Sequence, residues 1–206
     1  MSTTRRKYAP RLPPAQRRDQ LLDGALGLLA EGGFDAVTME AVARRSGVTK
    51  PVVYELWANR AEVVAALLRR EADRATGQVL GALPTTDFGD RSPEDVYTDT
   101  VRAFVNAVVA SPERWRLVLL PPEGTPVEFR QEVELVRSRV LAQVNVLAEL
   151  GLKALGATGL DAELLGHTML ALAEMAGRLA ITDPERFTPD RLVGFVAQVA
   201  HLLPKV

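Results

Sequence analysis

The chain lacks most of the residues that carry chemistry in enzymes. Its 206 residues include no cysteine and only two histidines, and aromatic residues make up 5%. The missing cysteines exclude disulfides, thiolate catalysis and cysteine-ligated zinc. The sequence also has no G-x-S-x-G elbow, no glycine-rich phosphate loop and no H-E-x-x-H motif. We therefore expect a protein that is not an enzyme, with no catalytic residue, no metal site and no cofactor.

The sequence also has no segment typical of export or of a membrane. No apolar run approaches the roughly 20 residues that a membrane helix needs. The basic N-terminus reaches Pro13-Pro14 without the apolar stretch of a secretory signal. We therefore expect a cytoplasmic protein without membrane contact. Residues 1–12 are interpreted as a flexible basic arm, which either meets phosphate or is simply solvated.

Charge is distributed unevenly along the chain. The formal net charge is −1, but residues 1–60 hold ten Lys and Arg against six Asp and Glu, and the remainder holds fifteen against twenty. A basic head on an acidic body indicates that the head meets a polyanion such as DNA. A total charge near zero argues against a general DNA-packaging role.

Residues 38–57, TMEAVARRSGVTKPVVYELW, contain two short helical patterns separated by a tight break. Thr38 and Thr49 stand where helix N-caps belong, and Gly47 allows the left-handed turn between the helices. Apolar residues at i, i+3 and i+4 give each helix one buried side: Met39, Val42 and Ala43 in the first, and Val53, Leu56 and Trp57 in the second. The pattern fits a helix-turn-helix, whose second helix enters the DNA major groove; plain packing of two helices is the alternative.

The wider string decides between these two interpretations. The segments GFDAVTM (33–39), AVA (41–43) and SGVTK (46–50), followed by Tyr54, Trp57 and Asn59-Arg60, resemble the TetR family of bacterial transcriptional regulators. That family usually reads G(F/Y)xAxTxxxIAxxAGVSKGxLYxHFxxKExL. The resemblance covers about residues 15–75, and the rest of the chain fits the family in length and helicity only.

By position in the family motif, the resemblance implies which residues contact DNA. Thr38 and Tyr54 would hydrogen-bond phosphate, while Pro51 and Val52 would face bases through apolar contact. Arg44 and Arg45 either add phosphate contacts or are solvated. The full expected set is Thr38, Arg44, Arg45, Thr49, Lys50, Pro51, Val52, Tyr54 and Arg60.

Two residues depart from the family pattern, and both affect the expected operator rather than DNA binding itself. Glu55 stands where relatives often have a basic or polar residue, and Leu56 replaces a common histidine. Trp57 occupies the family's phenylalanine position and is expected in the core.

The remaining sequence predicts further helices and no strand. Four Ser-Pro or Thr-Pro steps, each followed by an acid in the first turn, resemble helix starts with a hydroxyl cap: Ser92, Ser111, Thr125 and Thr188. Helices are expected at roughly 60–80, 93–110, 112–120, 126–151, 161–181 and 189–203. The predicted fold is all-α with about nine helices, divided into a helix-turn-helix domain at 13–60 and a helical effector-binding and dimerisation domain at 61–206.

The last two predicted helices are apolar over more than one stripe, so they must be covered on more than one side. They are either internal core helices of a monomer or the interface of a homodimer, and the family resemblance implies the dimer. The expected interface residues are Leu165, Thr168, Leu172, Met175, Leu179, Val193, Val196, Ala200 and Leu203.

The resemblance also implies an effector pocket in the body. Candidate lining residues are Phe104, Asn106, Trp115, Phe129, Gln143, Asn145, His167 and Met169, and each of them is otherwise an ordinary core or surface residue. The predicted function is a repressor that a small hydrophobic or amphipathic effector releases from a palindromic DNA operator. The alternative is a helical ligand-sensing or protein-interaction module without operator-specific DNA binding.

Overall fold

The computed structural model describes residues 12–84, 88–157 and 159–202, and all regular structure among them is helical. The helices in chain order are α1 (Pro14–Ala36), α2 (Met39–Arg45), α3 (Lys50–Tyr54), α4 (Arg60–Ala82), α5 (Pro93–Ala110), α6 (Pro112–Leu119), α7 (Val127–Ala154), α8 (Ala162–Thr182) and α9 (Pro189–His201). The predicted all-α fold is confirmed. Residues 1–11 of the predicted basic arm lie outside the described residues.

Two of the four predicted hydroxyl caps are present. Ser92 Oγ accepts a hydrogen bond from the backbone N–H of Asp95 at 3.0 Å, and Thr188 Oγ1 accepts one from Arg191 at 3.4 Å. Ser111 stands at the start of α6 without a side-chain cap. Thr125 is not a cap either, because its hydroxyl donates to Pro122 O at 2.6 Å and α7 begins after Pro126. A Ser/Thr-Pro step thus predicts where a helix begins better than it predicts the cap.

The chain forms two compact units. The first ends at Leu67, and the second begins at Leu68. We expected the boundary at residues 60 and 61, where α4 begins. The first turns of α4 belong instead to the first unit, since Val63 and Leu67 are almost completely buried there. The first unit's core also contains completely buried side chains from α1, α2 and α3: Leu21, Ala25, Val42 and Val53.

The second unit has its own core, formed by one side of α5 with α6, α8 and α9. Val101, Val105 and Val108 recur along α5 at helical spacing and are almost completely buried. Trp115 of α6 is 2% exposed. It makes an edge-to-face contact with Phe104, with 5.0 Å between the ring centroids. Burying each large side chain of this cluster contributes about 1.5–3 kcal/mol. Ala75 of α4 belongs to the same cluster, which therefore holds five helices together.

A buried ion pair joins α4 to α6 inside the second unit. Glu71 of α4 is 0% exposed. Its carboxylate accepts hydrogen bonds from Arg114 Nε and from Arg70 Nε, both at 2.7 Å. Arg114 also donates to Gln78 Oε1 at 3.2 Å. Because a buried carboxylate needs charge-assisted partners, this contact fixes α6 against α4.

Among the described helices, α8 is long and apolar enough to cross a membrane by length and composition. Core helices of other proteins pass the same test, so the finding assigns no membrane role. It shows instead that a very apolar helix is poorly covered, because only 28% of its apolar window is buried in the chain itself.

Candidate nucleic-acid interface and ligand cavity

The helix-turn-helix forms as the sequence predicts. Thr38 caps α2, with its Oγ1 accepting from the backbone N–H of Ala41 at 3.1 Å. The turn passes through Gly47 at φ 68°, a left-handed conformation that favours glycine. Val53 (0% exposed) and Trp57 (4%) then fix the inner side of α3 and the turn after it. Thr49 stands at the cap position of α3, but its side chain makes no cap hydrogen bond.

The residues expected to contact DNA lie on the outside of this element. Only Val52 of the nine is half-buried; the other eight are exposed: Thr38, Arg44, Arg45, Thr49, Lys50, Pro51, Tyr54 and Arg60. Tyr54 is 52% exposed although it is large and partly apolar. The structure therefore offers these side chains to a partner, and their contact with DNA stays a prediction.

Lys50 has an intramolecular counter-ion that sequence reasoning missed. Its Nζ lies 2.8 Å from Glu40 Oε2, so the pair bridges α2 and α3. The hydrogen bond between them raises the pKa of Lys50 and lowers that of Glu40. Both groups are on the surface, where such pairs contribute little to stability. If Lys50 contacts DNA as predicted, a DNA phosphate would compete with Glu40 for its ammonium group.

Arg45 is held in the same way by α1. Arg45 Nη1 donates to Glu31 Oε1 at 2.9 Å, and Arg45 Nη2 pairs with Glu31 Oε2. The hydrogen bond from Arg45 lowers the pKa of Glu31. Close approach of α1 makes this possible, since a Cβ on Gly24 would lie 2.5 Å from Ser46 Oγ.

Arg60 is engaged inside the first unit rather than projecting freely. Its Nε donates to Val37 O at 2.9 Å and its Nη2 to Phe34 O at 2.5 Å. Asp35 lies 3.8 Å from the same guanidinium group. Arg60 therefore ties the start of α4 to the segment between α1 and α2, which sequence reasoning did not assign to it.

The second unit encloses a cavity of about 420 Å³. This volume lies within the range of about 300–1,000 Å³ typical of small-molecule sites. The lining comes from α4 to α9 and is mostly aliphatic. Tyr97 contributes a phenol, whose OH donates to Met169 O at 2.9 Å and whose pKa burial raises.

Three of the eight candidate pocket residues line this cavity: Phe104, Trp115 and Met169. The other five do not: Asn106, Phe129, Gln143, Asn145 and His167. Asn106 and His167 are exposed, and Phe129 is buried away from the cavity. Gln143 donates to Pro84 O at 3.1 Å, and Asn145 Oδ1 points toward Gly166 on α8. Polar residues on α7 and α8 were thus assigned to the wrong side of their helices.

Sequence reasoning missed the charged group that does line the cavity, which we call the arginine cluster: Arg137, Glu174, Arg178 and Glu134. Arg137 Nε donates to Glu174 Oε1 at 2.6 Å, and Arg178 Nη2 lies 3.5 Å from Glu174 Oε2. The hydrogen bond to Glu174 raises the pKa of Arg137. A charge placed within the apolar stripe of a helix was the sequence signal that could have revealed this cluster.

The expected dimer residues divide into two groups. Val193 (1% exposed), Val196 (0%) and Ala200 (5%) are buried within the chain itself, because α9 packs on α5. Leu165, Thr168, Leu172 and Ala200 line the cavity, and Leu179 packs against the core cluster. Burial within the chain corrects the assignment of Val193, Val196 and Ala200 to a partner contact. For the remaining residues, which are not buried, the partner contact stays a prediction: Leu165, Thr168, Leu172 and Leu179. Leu203 lies outside the described residues.

Other apolar side chains of α8 and α9 are exposed. Leu164 (65% exposed) and Met175 (37%), of which Met175 was an expected interface residue, lie on one side of α8 with Thr168. Phe195 (49%) and Leu202 (82%) lie on one side of α9 and its C-cap. Large apolar side chains exposed in this spacing mark an association surface.

A small helix, a glycine turn and an exposed second helix define the class of helix-turn-helix DNA-binding proteins. Residues 21–67 match the family model described as bacterial regulatory proteins of the tetR family. The chain belongs to the TetR family of bacterial transcriptional regulators, as the resemblance in the motif implied.

Similar proteins match either nearly the whole chain or a smaller part of it. The transcriptional activator FasR of Mycolicibacterium smegmatis is 26% identical over 92% of this chain and 84% of its own length. The transcriptional repressor KstR of Rhodococcus jostii is 36% identical over 29% of this chain and 28% of its own length. Both relatives are helix-turn-helix regulators, and they carry opposite signs of regulation.

Solved structures show the same fold. A TetR-like regulator from Rhodococcus sp. RHA1 has a TM-score of 0.73 and 22% identity, covering 93% of this chain and 97% of that one. AibR, solved with isovaleryl coenzyme A and operator DNA, has a TM-score of 0.68 and 16% identity, covering 92% of this chain and 100% of that one.

Proposed function

We propose that this protein is a homodimeric regulator that binds a palindromic operator, most simply as a repressor, and that an apolar or amphipathic effector in the cavity releases it. The observation that carries the proposal is the course of α4. Its first turns bury Val63 and Leu67 in the DNA-binding unit. Its later residues line the cavity: Ala72, Ala75, Thr76, Val79 and Ala82. One helix thus belongs to both sites.

The DNA-binding part of the proposal rests on the exposed side of α3. Two copies related by a two-fold axis would place their second helices in successive major grooves, about 34 Å apart on B-DNA. Lys50 and Tyr54 would hold phosphates and set the register, while Pro51 and Val52 would contact base edges. AibR, which has this fold, was solved on operator DNA.

The effector part rests on the cavity. An effector can change DNA binding only by the difference in its affinity for the DNA-bound and DNA-free conformations, a coupling of typically about 1–3 kcal/mol. Residues of α4 and α6 line the cavity, and Glu71 holds these two helices together. A ligand that displaces α6 would therefore act on α4. AibR binds a coenzyme A thioester, which supports an acyl-bearing effector class.

The dimer, the sign of regulation and the location complete the proposal. The exposed apolar residues of α8 and α9 support a contact between two copies, which the operator symmetry requires. Release by an effector corresponds to repression, the sign that KstR has and FasR does not. A bacterial regulator of this kind would act in the cytoplasm, where the chromosome is.

The first experiment is selection of bound sequences from a randomised DNA pool at fixed salt. We expect a palindrome whose half-sites lie about one helical turn or slightly more apart. Release from that operator is then measured by fluorescence anisotropy against a panel of apolar and amphipathic compounds. Weak, unselective binding that only follows salt concentration would contradict the operator and favour the ligand-sensing module without DNA binding.

A further inference from the structure

The cavity is long rather than round, and it follows the axis of α7. Its lining on this helix begins at Val133 and ends at Leu155, recurring every three or four residues. At 1.5 Å per residue this stripe is about 33 Å long. Lining residues spread over such a length indicate an elongated cavity, which we call the slot. An extended chain fits this shape, whereas a compact group of fused rings would fill only part of it.

The two ends of the slot differ in charge. Helices α7 and α8 run antiparallel, because Arg137 meets Glu174 while Asn145 meets Gly166. The arginine cluster therefore lies toward the beginning of α7. Toward the other end lies Glu94, which is 3% exposed and also lines the cavity. A negative group of a ligand would lie beside a buried carboxyl at that end, and beside two guanidinium groups that pair with Glu174 and Glu134 at the first.

The arginine cluster has capacity for a further anion. Two guanidinium groups share the carboxylate of Glu174, which is 16% exposed. Glu134, the other acid of the cluster, is 67% exposed and lies 3.8 Å from Arg137 Nη1. Arg137 uses its Nε for Glu174, so an anionic head group would compete only with the exposed Glu134 for the terminal nitrogen Nη1. Such charge-assisted pairs are the stronger hydrogen bonds in proteins.

We propose that the slot binds a single unbranched acyl or alkyl chain whose anionic head is held by Arg137 and Arg178, with Glu174 positioning both arginines. This inference rests on the proposed ligand-binding role of the cavity and names its ligand class. The head is either the carboxylate of a free fatty acid or the phosphates of a coenzyme A thioester, and both present the same anionic chemistry to the cluster.

The shape of the slot is tested with straight-chain carboxylates of 8 to 18 carbons, used below their micelle concentrations, on the full-length protein. Burial of each added methylene contributes about 0.8 kcal/mol to the free energy of binding. The Kd from isothermal titration should therefore fall about fourfold per methylene until the slot is full, then level off. A Kd that does not depend on chain length, or tighter binding of a fused-ring steroid, would overturn the inference.

The head group is tested with three probes that share a 12-carbon chain: dodecanoate, dodecanoyl coenzyme A and dodecyltrimethylammonium. We expect at least one anionic probe to bind about tenfold or more tightly than the cation. Binding of dodecanoate identifies the free acid, and binding of the thioester alone identifies the coenzyme A form. Equal or tighter binding of the cation would overturn the assignment of the head to the arginines.

Variants assign this selectivity to residues. Arg137→Gln and Arg178→Gln should each weaken the anionic probe about tenfold and leave the cation unaffected. Arg139→Gln, an exposed arginine on the same helix that does not line the cavity, is the matched control and should change nothing. If the arginine cluster had a structural role alone, both variants would weaken the binding of all probes equally. If another apolar ligand releases the operator while straight-chain anions do not bind, the proposed function holds and only this inference fails.

Discussion

At the scale of single residues, two cations of the DNA-binding unit, Lys50 and Arg45, form ion pairs with acids of the same unit. Lys50 is bound to Glu40, and Arg45 to Glu31. Each pair lies at the surface, so DNA phosphate and the carboxylate compete for the same ammonium or guanidinium group. If Lys50 and Arg45 contact phosphate as predicted, the strength of DNA binding should depend on acids that themselves contact no phosphate.

We predict opposite effects for the two members of the Lys50 pair. Lys50→Ala should weaken binding about equally on all DNA sequences and reduce the slope of log K against log salt by about one, because one phosphate contact is lost. Glu40→Gln should tighten binding, because the competing carboxylate is removed while the side-chain shape is kept. Fluorescence anisotropy titrations at several salt concentrations measure both.

Lys153→Ala is the control for this experiment, since Lys153 is an exposed lysine on α7 in the other unit. It should leave affinity and salt slope unchanged. If Lys50→Ala behaves like Lys153→Ala, Lys50 does not contact phosphate. If Glu40→Gln weakens binding, the pair positions Lys50 rather than competing for it.

The sequence predicted which residues of the helix-turn-helix face outward, but not what they touch. Periodicity assigns a residue to one side of a helix, and that was sufficient for Val53, Trp57 and Tyr54. A side-chain partner depends on how two helices meet, which periodicity does not contain. Glu40 and Lys50 lie ten residues apart on different helices, so no spacing rule connects them.

At the scale of helices, the contact between α4 and α6 depends on one carboxylate. Glu71 is completely buried and accepts hydrogen bonds from Arg70 and Arg114. Removing one member of a buried ion pair leaves an uncompensated charge, which typically costs about 3–5 kcal/mol. Arg74 Nη1 also lies 3.7 Å from this carboxylate, so the cost should be larger for the acid than for any one of its bases.

We predict that Glu71→Gln lowers the free energy of unfolding by about 3 kcal/mol, because both arginines lose their buried counter-charge. Arg114→Met should cost less, since Arg70 still pairs with Glu71. Urea unfolding followed by circular dichroism measures both changes.

Glu132→Gln is the control for the buried pair, because Glu132 is exposed on α7. It should change stability by less than about 0.5 kcal/mol. A Glu71→Gln protein as stable as this control would show that the pair is not needed to hold α6 against α4.

Helix positions were predictable where caps and breakers stand in the sequence, and less so where packing decides. The expected 93–110 helix matches α5, but α7 continues through Gly151 to Ala154. The cavity was harder to predict, because its aliphatic lining has the same periodicity as a packed core. The three candidates that line the cavity have aromatic or thioether side chains on the inward sides of their helices. The amide side chains of α7 do not line it.

At the scale of the whole molecule, the exposed apolar side chains of α8 and α9 need a partner. Phe195 is 49% exposed, and Leu164 and Leu202 are more exposed still. We predict that Phe195→Glu converts the dimer to a monomer, because a dimer would bury the new charge at its contact. Light scattering during size-exclusion chromatography measures the mass, and operator affinity should fall with it.

Val109→Glu is the matched change for this experiment, since Val109 of α5 is similarly exposed at 46%. The Val109→Glu protein should still have the mass of a dimer. A dimeric Phe195→Glu protein would place the contact elsewhere on the second unit, and a monomeric wild type would contradict the dimer altogether.

If Lys50 and Arg45 contact phosphate as predicted, we expect their pairing also to affect how quickly the regulator finds one site in a chromosome. Attraction to phosphate holds a regulator on random sequence during its search. Here Glu31 and Glu40 neutralise Arg45 and Lys50, so each non-specific binding event on DNA would be shorter. Both carboxylates thus favour frequent dissociation and rebinding over long residence, and more copies of the protein stay free to test new sequence.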